Sequence, residues 1–407
     1  MMRRRCQACP GTVDLEPCSG CGLAYYCARS KSSSRSGEER RLHGGGQGEQ
    51  GKTAEHDVAC KALAQARGLV ALEEAKLRES SANSVGGLFS APPRVFEDHA
   101  GYFWDIAETR EYLRARLAYT EALLALGTLD AAELVVSEYD DMLRLSQWDM
   151  LDIRHRLLGQ LARLGRGERC YELVKIWLLE DMIGDEGSNN VLQVAARPAR
   201  SNSISSSDGA TSATTTDLFE DPSTVLGPAE PYFELLKLVP VLVIKIGLWL
   251  NLREMHQAYG LRSTLPPEMV CTVQMELAGP AVRANDAVMS AVRSGKSLLP
   301  HEREMRLQAA SIARAVTKAQ GGREFWDLMS LTSDPYEKID ESLESGYCTV
   351  QPAHAAFRYN HVSFLEMPLG VWAVESMLRD DGVADMPDYD TPDHAWDGSD
   401  EDMGSGK

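Results

Sequence analysis

Eight residues in the first 60 carry the densest chemistry of the chain. Cys6 and Cys9 form one C-x2-C pair, Cys18 and Cys21 a second, Cys27 follows, and His56 and Cys60 close the set as H-x3-C, with His43 between them. A C-x2-C knuckle puts two thiolates on one side of a tight turn, and two such pairs, or one pair with an H-x3-C, complete a tetrahedron around a zinc ion. Gly11 and the run Pro17, Cys18, Ser19, Gly20 supply the turn chemistry that a knuckle needs. A redox C-x-x-C would require a thioredoxin-like α/β setting, and the helical pattern of this chain offers none. Nine cysteines are present in all, and Cys170, Cys271 and Cys348 stand apart in apolar surroundings as small core residues. No apolar run follows the basic N-terminal Met1 to Arg5, so no secretory signal is expected. Clustered cysteines in such a chain read as intracellular metal ligands before disulfides.

In order and spacing these residues resemble the MYND-type zinc finger. Its pattern is C-x2-C, a spacer, C-x2-C, five residues ending in Tyr, C-x3-C and H-x3-C. Here the spacer has eight residues, and GLAYY runs to Tyr26 before Cys27. The resemblance implies a cross-braced pair of zinc sites. Cys18, Cys21, His56 and Cys60 would form the complete one, and Cys6, Cys9 and Cys27 three quarters of the other. The sixth ligand of the pattern falls on Lys31, and the Gln and Trp that usually follow it are absent. His43 or a water could fill the place. The reading we favour is that residues 30–52, an unusually long polar insert, are retained intron sequence displacing the missing helix. A thiolate replaced by a Lys cation weakens that site.

The charge balance bounds the partners. The 407 residues hold 42 Lys and Arg against 60 Asp and Glu, a formal charge of −18. Such a balance argues against wholesale nucleic-acid binding. A local basic patch, Arg3 to Arg5 with Arg29, Arg35, Arg40 and Arg41, keeps a nucleic-acid-binding regulator as the alternative function. The leading reading is a protein–protein interaction or scaffold protein. Related MYND fingers bind short Pro-containing peptides, and a role in transcriptional regulation, in nucleus or cytoplasm, fits the resemblance.

The elements that must position these residues are helical. The fold expected is mainly α, with a small zinc-stabilised finger at residues 1–60 and a helix and linker at 61–95. Helical hairpins are expected at 96–182, a Ser/Thr-rich disordered linker at 183–228, a helical region at 229–379 and an acidic disordered tail at 380–407. Apolar periodicity predicts helices over 61–78, 108–125, 131–145, 149–164 and 168–181. Leu126-Gly127 and Leu164-Gly165 recur 38 residues apart, which is either a tetratricopeptide-like repeat or an irregular bundle. The most apolar stretch, residues 235–252, holds Lys237, Pro240, Lys245 and Gly247, and reads as a buried helix and not as a membrane span. Residues 103–145, with residues 242–252 and 372–378, also resemble helical regions of fungal MYND-finger proteins of unknown function.

No catalytic motif is legible. A SET-type methyltransferase needs an Asn-His pair beside a Cys and a later Gly-Glu-Glu stretch; Asn360-His361 is followed by Val, Ser and Phe. No P-loop, G-x-G-x-x-G, H-E-x-x-H or G-x-S-x-G occurs. The expectation is a protein that is not an enzyme. His99, His155 and His256 read as lone histidines on helices, His354 and His361 as packing partners of Phe357 and Tyr359. Trp104, Trp148, Trp177, Trp249, Trp326 and Trp372 read as wedges between helices.

Overall fold

A computed structural model describes residues 4–9, 11–27, 54–82, 91–183, 217–222, 234–330 and 352–379. Lys31, His43, Cys348, the insert 30–52, most of the linker 183–228 and the tail 380–407 lie outside the described residues.

Two three-residue strands, β1 (Leu15–Pro17) and β2 (Tyr25–Cys27), pair antiparallel with Glu16 opposite Tyr26. Among the described residues, the elements after them are helices. Helix α1 (Ala54–Ala82) leads to a single turn α2 (Val95–Asp98), two short 3-10 turns, and the hairpins α3 (Arg110–Leu124) with α4 (Leu129–Leu145) and α5 (Ile153–Arg163) with α6 (Gly167–Ile183). Then come α7 (Leu235–Tyr259), α8 (Pro267–Leu277), α9 (Pro280–Ala284), α10 (Asp286–Arg293), α11 (Leu299–Lys318), α12 (Gly322–Ser330), α13 (Pro352–Glu366) and α14 (Gly370–Arg379).

The Leu-Gly pairs close both hairpins. Gly127 and Gly165 hold φ of 61° and 71°, the left-handed region in which a side chain is strained, and so end α3 and α5. At the start of α4, the Thr128 hydroxyl accepts from the Ala131 N–H at 3.3 Å, capping an otherwise orphan donor. Helix α5 starts at Ile153, four residues later than the periodicity predicts. The Asp149 carboxylate turns back instead, accepting from the N–H groups of Ile153 (2.6 Å) and Arg154 (2.8 Å). Asp152 takes φ of 59° between them.

Helix α7 is the axis of the body. By length and composition the span Leu235–Ser263 could cross a membrane, but 83 % of its apolar window is buried by other helices. It packs against α5, α6, α8, α11 and α13, which explains why apolar residues surround it on all sides. Two bundle-mates differ in how they approach. Gly159 of α5 lets the α13 backbone come so near that a Cβ there would lie 2.4 Å from the Tyr359 carbonyl oxygen. Helices α3, α4, α5 and α6 each pack on the next in order, and the second hairpin, α5 with α6, also packs on α7.

One apolar core joins Tyr26 and Leu63 at the N-terminal end with Leu123, Leu126 and Ala131, and runs on through α7 to Phe357 and Phe364. A smaller cluster of Leu77, Val95, Phe103, Tyr112, Leu113 and Leu145 closes the far end of α1. Among the tryptophans, Trp148 departs from expectation: it is 55 % exposed, in the turn between α4 and α5. Cys170 is fully buried as expected, whereas Cys271 on α8 is only half-buried.

Candidate metal centre

The strand pair and the start of α1 build the site. The Cys18 N–H donates to the Ala24 carbonyl at 2.7 Å, and the Gly22 N–H returns to the Cys18 carbonyl at 2.8 Å. That turn aims Cys18 and Cys21 to one side, with Gly22 at φ of 73° making it possible. From the other side, His56 and Cys60 sit four residues apart on the first two turns of α1, hence on one helix face. The sequence pattern places the start of this helix at residue 61; the structure carries it seven residues further back and so delivers two ligand candidates from a helix.

The four donor atoms of Cys18, Cys21, His56 and Cys60 lie within 4.8 Å of one another, and all four residues are buried. His56 Nε2 is 3.3 Å from Cys18 Sγ and 3.8 Å from Cys21 Sγ. A tetrahedron with metal–ligand bonds of about 2.0–2.3 Å has edges of about 3.3–3.8 Å, so the spacing matches zinc. The Gly20 N–H donates to Cys18 Sγ at 3.4 Å. Burial pushes the Cys18 thiol up, but N–H groups of Cys21 and Gly20 and the His56 ring outweigh it and hold Cys18 near 6. Burial and the neighbouring Cys21 and Cys18 sulfurs push Cys60 to about 11. Buried sulfurs that raise one another in this way are relieved by a divalent cation between them. These residues could hold zinc.

The second group is Cys6, Cys9 and Cys27, also within 4.8 Å of one another, with Cys9 and Cys27 sulfurs 3.4 Å apart. The Cys27 N–H donates to Cys6 Sγ at 3.4 Å, and the Cys6 N–H to the Gly11 carbonyl at 2.8 Å. A Cβ on Gly11 would stand 3.3 Å from Cys9 Sγ and 3.7 Å from Cys27 Sγ, so the absence of a side chain there keeps the sulfurs accessible. Three thiols supply three of four tetrahedral positions. Among the described residues no fourth donor joins them. Lys31 and His43 lie outside the described residues.

Three residues that the sequence did not bring together tie this unit to the helices. Asp130, in the first turn of α4, accepts from Tyr25 Oη at 2.5 Å and from Arg4 Nε at 2.9 Å, and the Arg4 guanidinium lies over the Tyr25 ring. The Tyr25 phenol is raised by that bond to Asp130. Their separation of over 100 residues leaves no linear signal.

Elsewhere, Asn360 Nδ2 donates to the Ala356 carbonyl at 2.9 Å and the His361 ring stacks on Phe357 at 4.5 Å. His354 pairs with Glu324 at 3.2 Å. His155 is not alone: its Nδ1 meets Asp152 at 2.5 Å and its Nε2 meets Glu234 at 3.0 Å. Comparisons of the chain with protein-family models, with curated proteins and with solved structures returned no match.

Proposed function

We propose that the chain is a MYND-type zinc-finger protein that works by holding another protein. Zinc fixes the N-terminal unit, that unit presents a groove for a short Pro-containing peptide, and the helical body is the scaffold behind it. The reading rests above all on the buried Cys18, Cys21, His56 and Cys60 cluster with its zinc-sized spacing. It assigns binding and no reaction, because Asn360 and His361 are engaged in packing and hydrogen bonding inside α13. The nucleic-acid alternative has less support, since Arg4 of its basic patch is engaged by Asp130.

Zinc content of the full chain, measured by elemental mass spectrometry on protein purified without added metal, tests the base of the reading. At least one zinc per chain is expected, with Cys60→Ser losing one equivalent and Cys170→Ser losing none. A metal-free, folded wild-type chain overturns it. Calorimetric titration of the zinc-loaded chain with a panel of Pro-containing peptides tests the finer part. Binding that disappears in Cys60→Ser supports it; no heat from any peptide removes the peptide groove and leaves the zinc site standing.

A further inference from the structure

Helix α1 has two apolar faces, and only one is used. His56, Cys60, Leu63, Leu77 and Ser81 are buried against the N-terminal unit and α3. On the opposite side Val58, Ala62, Gln65, Leu69 and Leu72 stand in solvent, with Val58 71 %, Leu69 44 % and Leu72 52 % exposed. Their spacing of four, three, four and three residues is the seam of a two-stranded coiled coil. Lone exposed apolar residues are ordinary, but a five-residue seam along one helix is not.

We propose that this seam pairs antiparallel with the same seam of a second copy of the chain. The stripe is nearly symmetric about Gln65. Turned end for end about that residue, Val58 meets Leu72 of the partner subunit and Ala62 meets Leu69 of the partner subunit. Gln65 meets Gln65 of the partner subunit, where two amides donate to and accept from each other and fix the register. Charge selects the direction. Antiparallel, Lys76, which in the monomer pairs with Glu73 at 2.7 Å, comes level with Glu55 of the partner subunit at both ends; parallel, Lys76 would face Lys76 of the partner subunit and Lys61 would face Lys61 of the partner subunit. Exposed Gly68 and Ala75 beside the seam leave room for close approach.

Two segments of the chain that flank α1 are poorer occupants. Residues 28–53 hold almost nothing apolar. Residues 83–90 are tied at both ends to the last turns of α1, since the Ala91 N–H donates to Ser80 Oγ at 3.1 Å. Eight residues out and back extend about 13 Å. Leu69 lies thirteen residues before the end of α1, about 20 Å along its axis. The seam is about 21 Å long, from Val58 to Leu72. That is short of an obligate interface, so the dimer is reversible.

Sedimentation velocity of the zinc-loaded full chain, from about 1 to 200 µM, reads the proposal directly. The expected result is a concentration-dependent shift from 44.8 kDa to twice that mass. The double variant Leu69→Glu and Leu72→Glu should stay monomeric throughout with unchanged zinc content and helical circular dichroism. Lys76→Glu should weaken association at least tenfold, and adding Glu55→Lys should restore it; no restoration overturns the antiparallel direction. A wild-type chain that is monomeric at the highest concentration, or a dimer indifferent to the Leu69 and Leu72 changes, overturns the proposal. Dimerisation that appears only in a chain ending at Arg379 overturns it too, and assigns the seam to the acidic tail.

Discussion

At the scale of single residues, His155 carries the clearest thermodynamic signature. It sits between two carboxylates, Asp152 on its own element and Glu234 just before α7, and Glu234 also holds Lys237 at 2.7 Å. Burial alone would lower the imidazole, but the hydrogen bonds to Asp152 and Glu234 outweigh it and raise His155 to about 9; the same pair lowers Glu234 to about 2. The two shifts describe one interaction and count once. A group whose folded value is raised binds its proton more tightly when folded, so its stabilisation is complete below the unfolded value near 6.5 and is lost as pH rises through 9. Urea unfolding of wild type and His155→Gln at pH 6, 7.5 and 9.5 should show a gap that is widest at pH 6. It should narrow by up to about 3 kcal/mol at the alkaline end. A gap independent of pH removes the ion pair from the account. Sequence reading took this histidine as solitary because Glu234 is 79 residues away and the turn that swings Asp152 toward it has no period.

At the scale of elements, close approach sets the packing. The helices α1, α3 to α6 and α7 were legible from apolar period, and the Leu-Gly turns from glycine alone, because both depend on neighbours in the chain, while α8 to α14 were read only as one helical region. What period could not give was where α1 and α5 begin. His56, Cys60 and Leu63 lie at i, i+4 and i+7, a helical face, yet two of the three also have the spacing of metal ligands. At α5, a side-chain cap from Asp149 delays the start. Nor could period show that Gly159 exists for contact with α13. That contact makes a sharp prediction. Gly159→Ala forces a methyl group against the Tyr359 carbonyl, where backbone and not a flexible side-chain tip must yield, and should cost about 1–3 kcal/mol of stability. Gly247→Ala in α7 is the counterpart. Its new methyl would meet only Met367 Cε at 3.7 Å, an ordinary contact, while the helix loses a flexible residue. A gain of about 0.5–1 kcal/mol is expected. Chemical unfolding of both variants compares them; if Gly159→Ala is neutral, the helices cross farther apart than described.

At the scale of the whole molecule, the metal centre and the helical body are one structure. The candidate ligand set was legible because metal chemistry fixes residue type and spacing over short distances. Its attachment was not, because Asp130 reaches Tyr25 and Arg4 only through the fold. Helix α1 supplies two donors at its first turns and packs along α3 further on, and the cysteines share an apolar core with Leu123, Leu126 and Ala131. A structural zinc contributes on the order of 10–16 kcal/mol in small fingers, far more than a strand pair of three residues each could supply by itself. Stripping zinc with a chelator should therefore release more than residues 4–27. Amide hydrogen exchange should accelerate in the first turns of α1, and with Tyr25 withdrawn from Asp130, in the first turn of α4. Buried α7 and α11 should keep their protection, since Lys245 of α7 donates to Gln308 of α11 at 2.7 Å and to the Leu218 carbonyl at 2.7 Å, none of which involves a sulfur. Exchange that rises only in residues 4–27 would mean that α1 and α4 are held by the body alone. Exchange that rises throughout would mean that the metal supports the entire core. The graded outcome, lost at α1 and α4 and kept at α7, is what a metal unit joined to the bundle through one carboxylate and one helix must give.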